Sequence, residues 1–444
     1  MRLVEPLYSW MKGNLGGRVV SKYRYALLGL WLSASGALAD EPRDWQHSTL
    51  SGDWGGARSR MSANGLDWEI VYKSSVHSSV SGGLASGTEY LGNIDVKLAV
   101  DGDKAWGWPG ATALLYVLNN HGGKINAAHV GSAQGVDNIE VATNTTKLYQ
   151  AWLQQSLLAD RLSLLAGLYD LNSEFYATSS SGLFLHPAFG IGSELAQTGQ
   201  NGPSIFPTTS FAVRLKVRPA PGFYAQAVAL DGVPGDPNNP HGTHVQFNKG
   251  DGALIVGEVG WAPGEDEARP EPAEKGESLS KLAVGLWHYT ARFDDLQDTD
   301  AGGNPERRMN RGMYVLAQRA LYQEAGDASQ GLTAFLRFGV ASADVNQFDR
   351  ALDAGLVYRG LLPGRDDDLL GFAIAAEHNG AKFRQTEAGA GNSSSSAEVA
   401  YELSYRAQVA PWLAIQPDIQ HIVNHGAPSV RSAWIAGVRF EISL

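Results

Sequence analysis

From residue 66 to the last residue the chain repeats one pattern, in segments of about ten residues: apolar side chains alternate with small, polar or charged ones. The last segment is the clearest. Trp434, Ala436, Val438, Phe440, Ile442 and Leu444 share one face, and Ala433, Ile435, Gly437, Arg439, Glu441 and Ser443 share the other. Earlier, Leu66, Trp68, Ile70 and Tyr72 oppose Asp67, Glu69 and Lys73, and Ile94, Val96, Leu98 and Val100 oppose Asp95, Lys97 and Asp101. Phe211, Val213, Leu215 and Val217 oppose Arg214, Lys216 and Arg218. Val399, Tyr401, Leu403 and Tyr405 oppose Glu398, Glu402, Ser404 and Arg406; Leu413, Ile415 and Ile419 oppose Gln416, Asp418 and Gln420. A period of two is the signature of a strand, whose side chains point alternately to its two faces.

About sixteen such strands are predicted, an even number as in single-chain bacterial barrels. They fall near 66–76, 93–101, 111–119, 146–156, 161–169, 210–218, 222–230 and 253–261, then 281–289, 311–322, 332–340, 353–360, 369–377, 397–406, 412–421 and 432–444. The faces are mixed at 253–261, 281–289 and 311–322. Short links such as 157–160, 219–221 and 407–411 alternate with long ones at 120–145, 170–209, 231–252, 290–310 and 378–396. Short periplasmic turns and long external loops have this rhythm. The Pro-, Glu- and Gly-rich link 262–280 breaks it by falling on the short side.

A soluble sandwich also alternates, with its polar face to water. Here the polar faces carry Arg, Lys, Asp and Glu on strand after strand, and aromatics sit near the ends of the apolar faces. That combination predicts an all-β, antiparallel transmembrane barrel with a wet interior and aromatic girdles. After residue 39 nothing has the apolar run of a transmembrane helix, so a closed sheet is the remaining way to satisfy the backbone in lipid. A barrel of this strand number leaves an aqueous channel.

Composition fits. Cysteine is absent and glycine numbers 52 in 444 residues, excluding disulfides and thiolate metal sites and suiting many strands joined by turns. Residues 1–39 have the layout of a secretory signal: Lys12, Arg18, Lys22 and Arg24, the apolar run Ala26 to Leu32, then Ala37-Leu38-Ala39, so that Asp40 begins the mature chain. Residues 40–65 then form a periplasmic N-terminal segment and 66–444 the barrel. The signal carries five basic residues and one acidic, so its removal takes the net charge from −11 to −15. A surface of that sign excludes bulk nucleic-acid binding.

Three blocks resemble the OprB-type carbohydrate-selective porins. The first is Ser51-Gly52-Asp53-Trp54-Gly55-Gly56-Ala57-Arg58. The second runs from Gly167-Leu168-Tyr169-Asp170 through Phe189-Gly190-Ile191-Gly192 and Gly202-Pro203-Ser204-Ile205-Phe206-Pro207 to Leu230-Asp231-Gly232-Val233-Pro234-Gly235-Asp236-Pro237. The third is Glu402-Leu403-Ser404-Tyr405-Arg406, followed by Pro411-Trp412-Leu413 and Gln416-Pro417-Asp418-Ile419-Gln420. The resemblance spans nearly the whole mature chain. It implies a sixteen-stranded outer-membrane barrel through which sugars diffuse inward, with outer-membrane lipid and lipopolysaccharide around it and the barrel-assembly machinery reading its last strand. The chain ends in Leu444, where such barrels usually end in Phe.

Catalytic signatures are missing: there is no G-x-S-x-G elbow, P-loop or H-E-x-x-H. No cofactor or metal is expected. His241 and His244 stand three apart in a polar loop, and Asp294, Asp295, Asp298 and Asp300 form an acidic run without the Glu that closes a calcium loop. The channel-lining candidates are Arg214, Lys216, Arg218, Asp95, Lys97, Glu398, Glu402, Arg406 and Asp418, because guanidinium and ammonium groups donate to sugar hydroxyls and carboxylates accept from them. Loop 170–209 carries Phe175, Tyr176, Phe184, Phe189 and Phe206. It is expected to fold into the channel, narrow it, and offer aromatic faces to a pyranose ring. Contacts must be weak for a solute to leave, which places affinity in the millimolar range, about −4 kcal/mol. Other readings are a general or non-sugar porin, a barrel enzyme, and a secreted lectin-like β protein. The oligomeric state is not set by the sequence.

Overall fold

The computed structural model describes residues 44–263, 280–327, 329–392, 394–424 and 430–444. The export signal expected at 1–39 and most of the 262–280 link lie outside the described residues. The first eight strands are β1 Leu66–Gly83, β2 Gly87–Asp101, β3 Ala111–Gly122, β4 Thr145–Leu157, β5 Leu162–Tyr169, β6 Ser210–Ala220, β7 Phe223–Asp231 and β8 Ala253–Trp261. The rest are β9 Ser280–Thr299, β10 Pro305–Gln323, β11 Gly331–Ala341, β12 Phe348–Arg359, β13 Leu369–Asn379, β14 Ala397–Ala410, β15 Leu413–Val423 and β16 Arg431–Ser443. Each strand pairs with its sequence neighbours, and β16 pairs antiparallel with β1 to close the barrel. Closure leaves no unpaired edge, the condition for a sheet to sit in lipid. No described helix is long and apolar enough to cross a membrane.

Every segment expected from the alternation is a strand, including the three with mixed faces. The faces fall as read. On β6, Val213 and Leu215 are exposed on the outer wall while Arg214 between them is buried inside. On β14 and β15, Glu402, Ser404, Asp418 and Gln420 are buried within, and Leu403 and Ile419 stand out.

Three connections differ from expectation. The link 290–310 is mostly strand, because β9 and β10 continue past the wall and leave only 300–304 as a tip. Cross-strand pairs extend this ladder: Asp294 meets Arg307 at 2.6 Å, and Asp295 meets Arg308 at 3.1 Å. Asp295 and Asp298 also pair with Lys382, on the helix Ala381–Gly389, so these acids of the 294–300 run are taken up by cations. The external side also has short connections at 84–86 and 342–347, so loop length alternates only in part.

The block Ser51–Arg58 folds beneath the periplasmic end of the wall. The Leu50 N–H donates to the Ser443 carbonyl at 2.8 Å. Arg58 is buried; it donates to Thr49 Oγ1 at 2.8 Å, reaches the Leu444 carbonyl, and lies 4.0 Å from the centre of the Trp54 ring.

Candidate functional site: a loop-narrowed channel

Loop 170–209 lies inside the barrel, and its backbone explains how it stays there. A chain segment away from the sheet has N–H and C=O groups without ladder partners, and burial makes leaving them unpaired costly. Wall side chains supply the partners. Glu258 on β8 accepts the Tyr176 N–H at 3.1 Å, together with the hydroxyls of Tyr224 and Tyr314. Gln318 on β10 accepts the Ser180 N–H at 2.9 Å. Glu402 on β14 accepts the N–H groups of Leu185 and His186, both at 2.8 Å. Glu377 on β13 accepts the Ser193 N–H at 3.2 Å. Arg337 on β11 donates to the carbonyls of Ala188, Phe189 and Gly190 and pairs with Asp353 at 2.8 Å.

Small residues let the loop approach the wall. A Cβ on Gly339 would meet Glu194 Oε1 at 1.7 Å, and one on Gly371 would meet Leu183 at 2.5 Å. At the loop's start Glu174 pairs with Arg214 at 2.9 Å and Lys216 at 3.3 Å. Burial raises the Glu174 carboxyl, but these two cations outweigh it and hold it at about 2. Asp170 next to it has no such cation, and burial pushes it up to about 6. Burial likewise raises Glu194 to about 8, helped by nearby Asp353, while the Tyr176 hydroxyl donates to it at 3.0 Å.

Loop 123–144 comes in beside it. Glu398 on β14 accepts from the Ser132 hydroxyl at 2.6 Å and from the Ala133 and Gln134 N–H groups at 3.1 Å. Asp137 meets Arg439 at 2.6 Å and His77 at 2.9 Å. The two loops touch where the Asn138 N–H donates to the Leu185 carbonyl at 2.8 Å and the Gln197 side chain donates to the Ala133 carbonyl at 2.7 Å.

These contacts sort the expected site residues. Arg214, Glu398, Glu402 and Asp418 point inward as expected, yet all are buried; the first three hold loops, and Asp418 sits against Gln420 and His77. The aromatic faces expected to meet sugar are likewise not presented. Phe175, Tyr176, Phe184 and Phe189 are each at most 1 % exposed. Tyr176 packs on Tyr314 with ring centres 4.3 Å apart, and Phe184 packs on Phe189 and Phe335. A flexible loop gains more by burying its rings against the wall than by leaving them in water. Phe206, edge-on to Tyr149, is only partly buried. Lys216 and Arg218 follow on β6 toward the periplasmic turn, both partly buried.

A second set lines the lumen and is only partly open to it: Asp95 is 1 % exposed and Lys97 9 %. On β1 and β2, Glu69 pairs with Lys97 at 2.8 Å and Lys73 with Asp95 at 2.9 Å. The Tyr116 hydroxyl on β3 donates to Asp95 at 2.7 Å, and the Lys97 ammonium lies 5.1 Å from the Tyr116 ring centre. Arg406 on β14 pairs with Glu441 on β16 at 2.9 Å. Side chains of Glu69, Glu441 and Arg406 keep 32 %, 22 % and 15 % of their surface exposed. Asp95, Lys97 and Arg406 were expected here. Glu69, Lys73, Tyr116 and Glu441 share the inward alternation, but their cross-strand pairing emerges only from the register.

The His244 ring lies 2.8 Å from the His241 carbonyl oxygen, and no group of three metal-binding side chains occurs among the described residues.

Comparison with known proteins agrees with this architecture. The family model described as carbohydrate-selective porin, OprB family, matches residues 85–444. Porin B of Pseudomonas aeruginosa is 26% identical over 93% of this chain and 94% of its own length. A putative porin, QuiX, of Acinetobacter baylyi is 21% identical over 94% of this chain and 97% of its own. The high-pH structure of Pseudomonas putida OprB superposes with a TM-score of 0.77, at 22% identity, over 90% of this chain and 99% of that one. The barrel is a porin of the bacterial outer membrane, and the chain belongs to the OprB family of carbohydrate-selective porins.

Proposed function

We propose that the channel passes neutral monosaccharides such as glucose by passive diffusion, and that transport is its whole chemistry. The observation that carries this reading is the charge balance of the open wall. Glu69, Asp95 and Glu441 face Lys73, Lys97 and Arg406 in direct pairs. A row of paired donors and acceptors offers hydrogen bonds to hydroxyls at little electrostatic gain to a bare ion, since each charge is already compensated. Lys97 and Arg406 with Glu69, Lys73 and Glu441 are the sugar-contacting residues in this reading, with buried Asp95 holding Lys73 and with Lys216 and Arg218 lower on β6. Residues 1–39 direct export, and the barrel-assembly machinery inserts the chain among outer-membrane lipids.

Liposome swelling tests it. Glucose should enter faster than a uronate of equal size, and replacing Glu69 and Lys97 together by Gln and Met should slow glucose severalfold while salt conductance holds. Equal entry of glucose and the uronate, unchanged in that variant, would refute the assignment.

A further inference from the structure

The outer wall of β8–β10 carries a feature that transport does not use. Ile255, Gly257, Leu286, His288 and Arg311, backed by Trp287 and Gly312, line a cavity of about 360 Å³. The strand register sets its layout. Ile255, His288 and Arg311 are successive partners across β8, β9 and β10, and Gly257 and Leu286 are partners on the periplasmic side of that row. All five alternate with inward residues, so they face outward: Leu286 is 61% exposed and Ile255 38%. Gly257 leaves a furrow between its neighbours; a Cβ there would meet nothing nearer than a carbonyl oxygen at 4.0 Å.

The cationic end lies at the external edge of the apolar wall. Ile255 is close to the external end of β8, whereas β9 and β10 continue outward as a hairpin bearing Arg292, Asp294 and Arg307. The guanidinium of Arg311 and the ring of His288 have no hydrogen-bond or ion-pair partner among the described residues, unlike Arg350, which pairs with Asp349. Two neighbouring donors above an apolar furrow, at headgroup height, match an amphiphile with a phosphate head and an acyl tail. The guanidinium fork fits two phosphate oxygens, and the imidazole adds a third donor.

We propose that this groove binds the phosphorylated lipid A end of lipopolysaccharide in the outer leaflet, with phosphate on Arg311 and His288 and an acyl chain along Gly257 and Leu286. Basic pockets at a membrane surface hold anionic headgroups in this way.

Native mass spectrometry of the mature barrel in detergent, with added bis-phosphorylated lipid A, tests it. Wild-type barrel should retain one lipid A through mild activation. Arg311→Ser with His288→Ala should lower the retained fraction about tenfold, as loss of charge-assisted contacts implies. Gly257→Leu should do the same by filling the furrow while the basic groups stay. Unchanged glucose swelling would show that these outward-facing variants remain folded. Equal retention by wild type and the double variant overturns the proposal, as does equal retention of lipid A stripped of its phosphates. Phosphatidylglycerol held as firmly as lipid A overturns the glycolipid assignment. A dimer mass lost in the same variants overturns it too, giving the groove to a second copy.

Discussion

The strands that hold loop 170–209 and the periplasmic half of β1 and β2 line one lumen with charge, and they use it differently. Over the first, Glu258, Glu377, Glu402 and Arg337 spend their hydrogen bonds on the backbone of loop 170–209. Over the second, Glu69, Lys73, Asp95 and Lys97 pair with one another across strands. A charge that satisfies a buried loop is lost to a passing solute, and a charge paired on an open wall stays within reach of one. An inward-facing charge in a barrel is therefore a structural part or a contact site according to what covers it.

The largest effect should come from breaking the loop's central anchor. Arg337→Met leaves Asp353 buried without its cation and the Ala188 and Phe189 carbonyls without a donor, while Gly190 keeps only Asn172; breaking a buried pair costs about 3–5 kcal/mol. The loop should leave the lumen, and single-channel conductance should rise severalfold with much greater noise. Next is Glu402→Leu, which orphans the Leu185 and His186 N–H groups at about 1–3 kcal/mol each. Its conductance should rise less, and urea should release the loop at lower concentration than in wild type. If either variant conducts as wild type does, loop 170–209 is not what narrows the channel.

Alkaline pH should act on the same anchorage more gently. Because burial raises the folded-state Glu194 carboxyl to about 8, its contribution to docking is fully present below the ordinary glutamate range. That contribution is lost as pH rises through about 8. Glu174 has the opposite sign: held at about 2 by Arg214 and Lys216 against its burial, its contribution is present above the ordinary range and lost as pH falls toward 2. Gating noise should thus be lowest around the ordinary glutamate range, where both contributions are present, and grow as pH rises from there to about 8; Glu194→Gln should abolish this alkaline limb alone. A flat pH record in wild type would count against this.

The open wall should respond least in stability. Glu69 with Lys97 is partly exposed, and such pairs contribute about 0–1 kcal/mol. Glu69→Gln with Lys97→Met should leave the thermal transition nearly in place and change sugar permeation instead. A large loss of stability there would erase the contrast between the two walls.

The strands were legible because alternation is local: each segment reveals its own two faces, and even the mixed segment 253–261 matches β8 as Ala253–Trp261. What was not legible depends on distant partners. Glu402 reads as a free lumen carboxylate until Leu185 and His186 arrive from more than two hundred residues away. Phe184 reads as a sugar platform until Gly371 and Phe335 make a place for it under the wall. The same holds for β9 and β10, whose extension rests on pairs such as Asp294 with Arg307 across the hairpin. In the other direction, the inward placement of Asp95, Lys97 and Arg406 follows from alternation alone, while their pairing with Lys73, Glu69 and Glu441 needs the register.

The most direct test is single-channel conductance of the refolded mature chain in a planar bilayer during glucose titration, with wild type beside the Glu69→Gln, Lys97→Met variant. Wild-type steps should fall in height with half-effect in the millimolar range, about −4 kcal/mol of binding, and the variant should need much more glucose. Steps indifferent to glucose, or blocked equally in both proteins, would contradict the paired wall as the place where sugar is met.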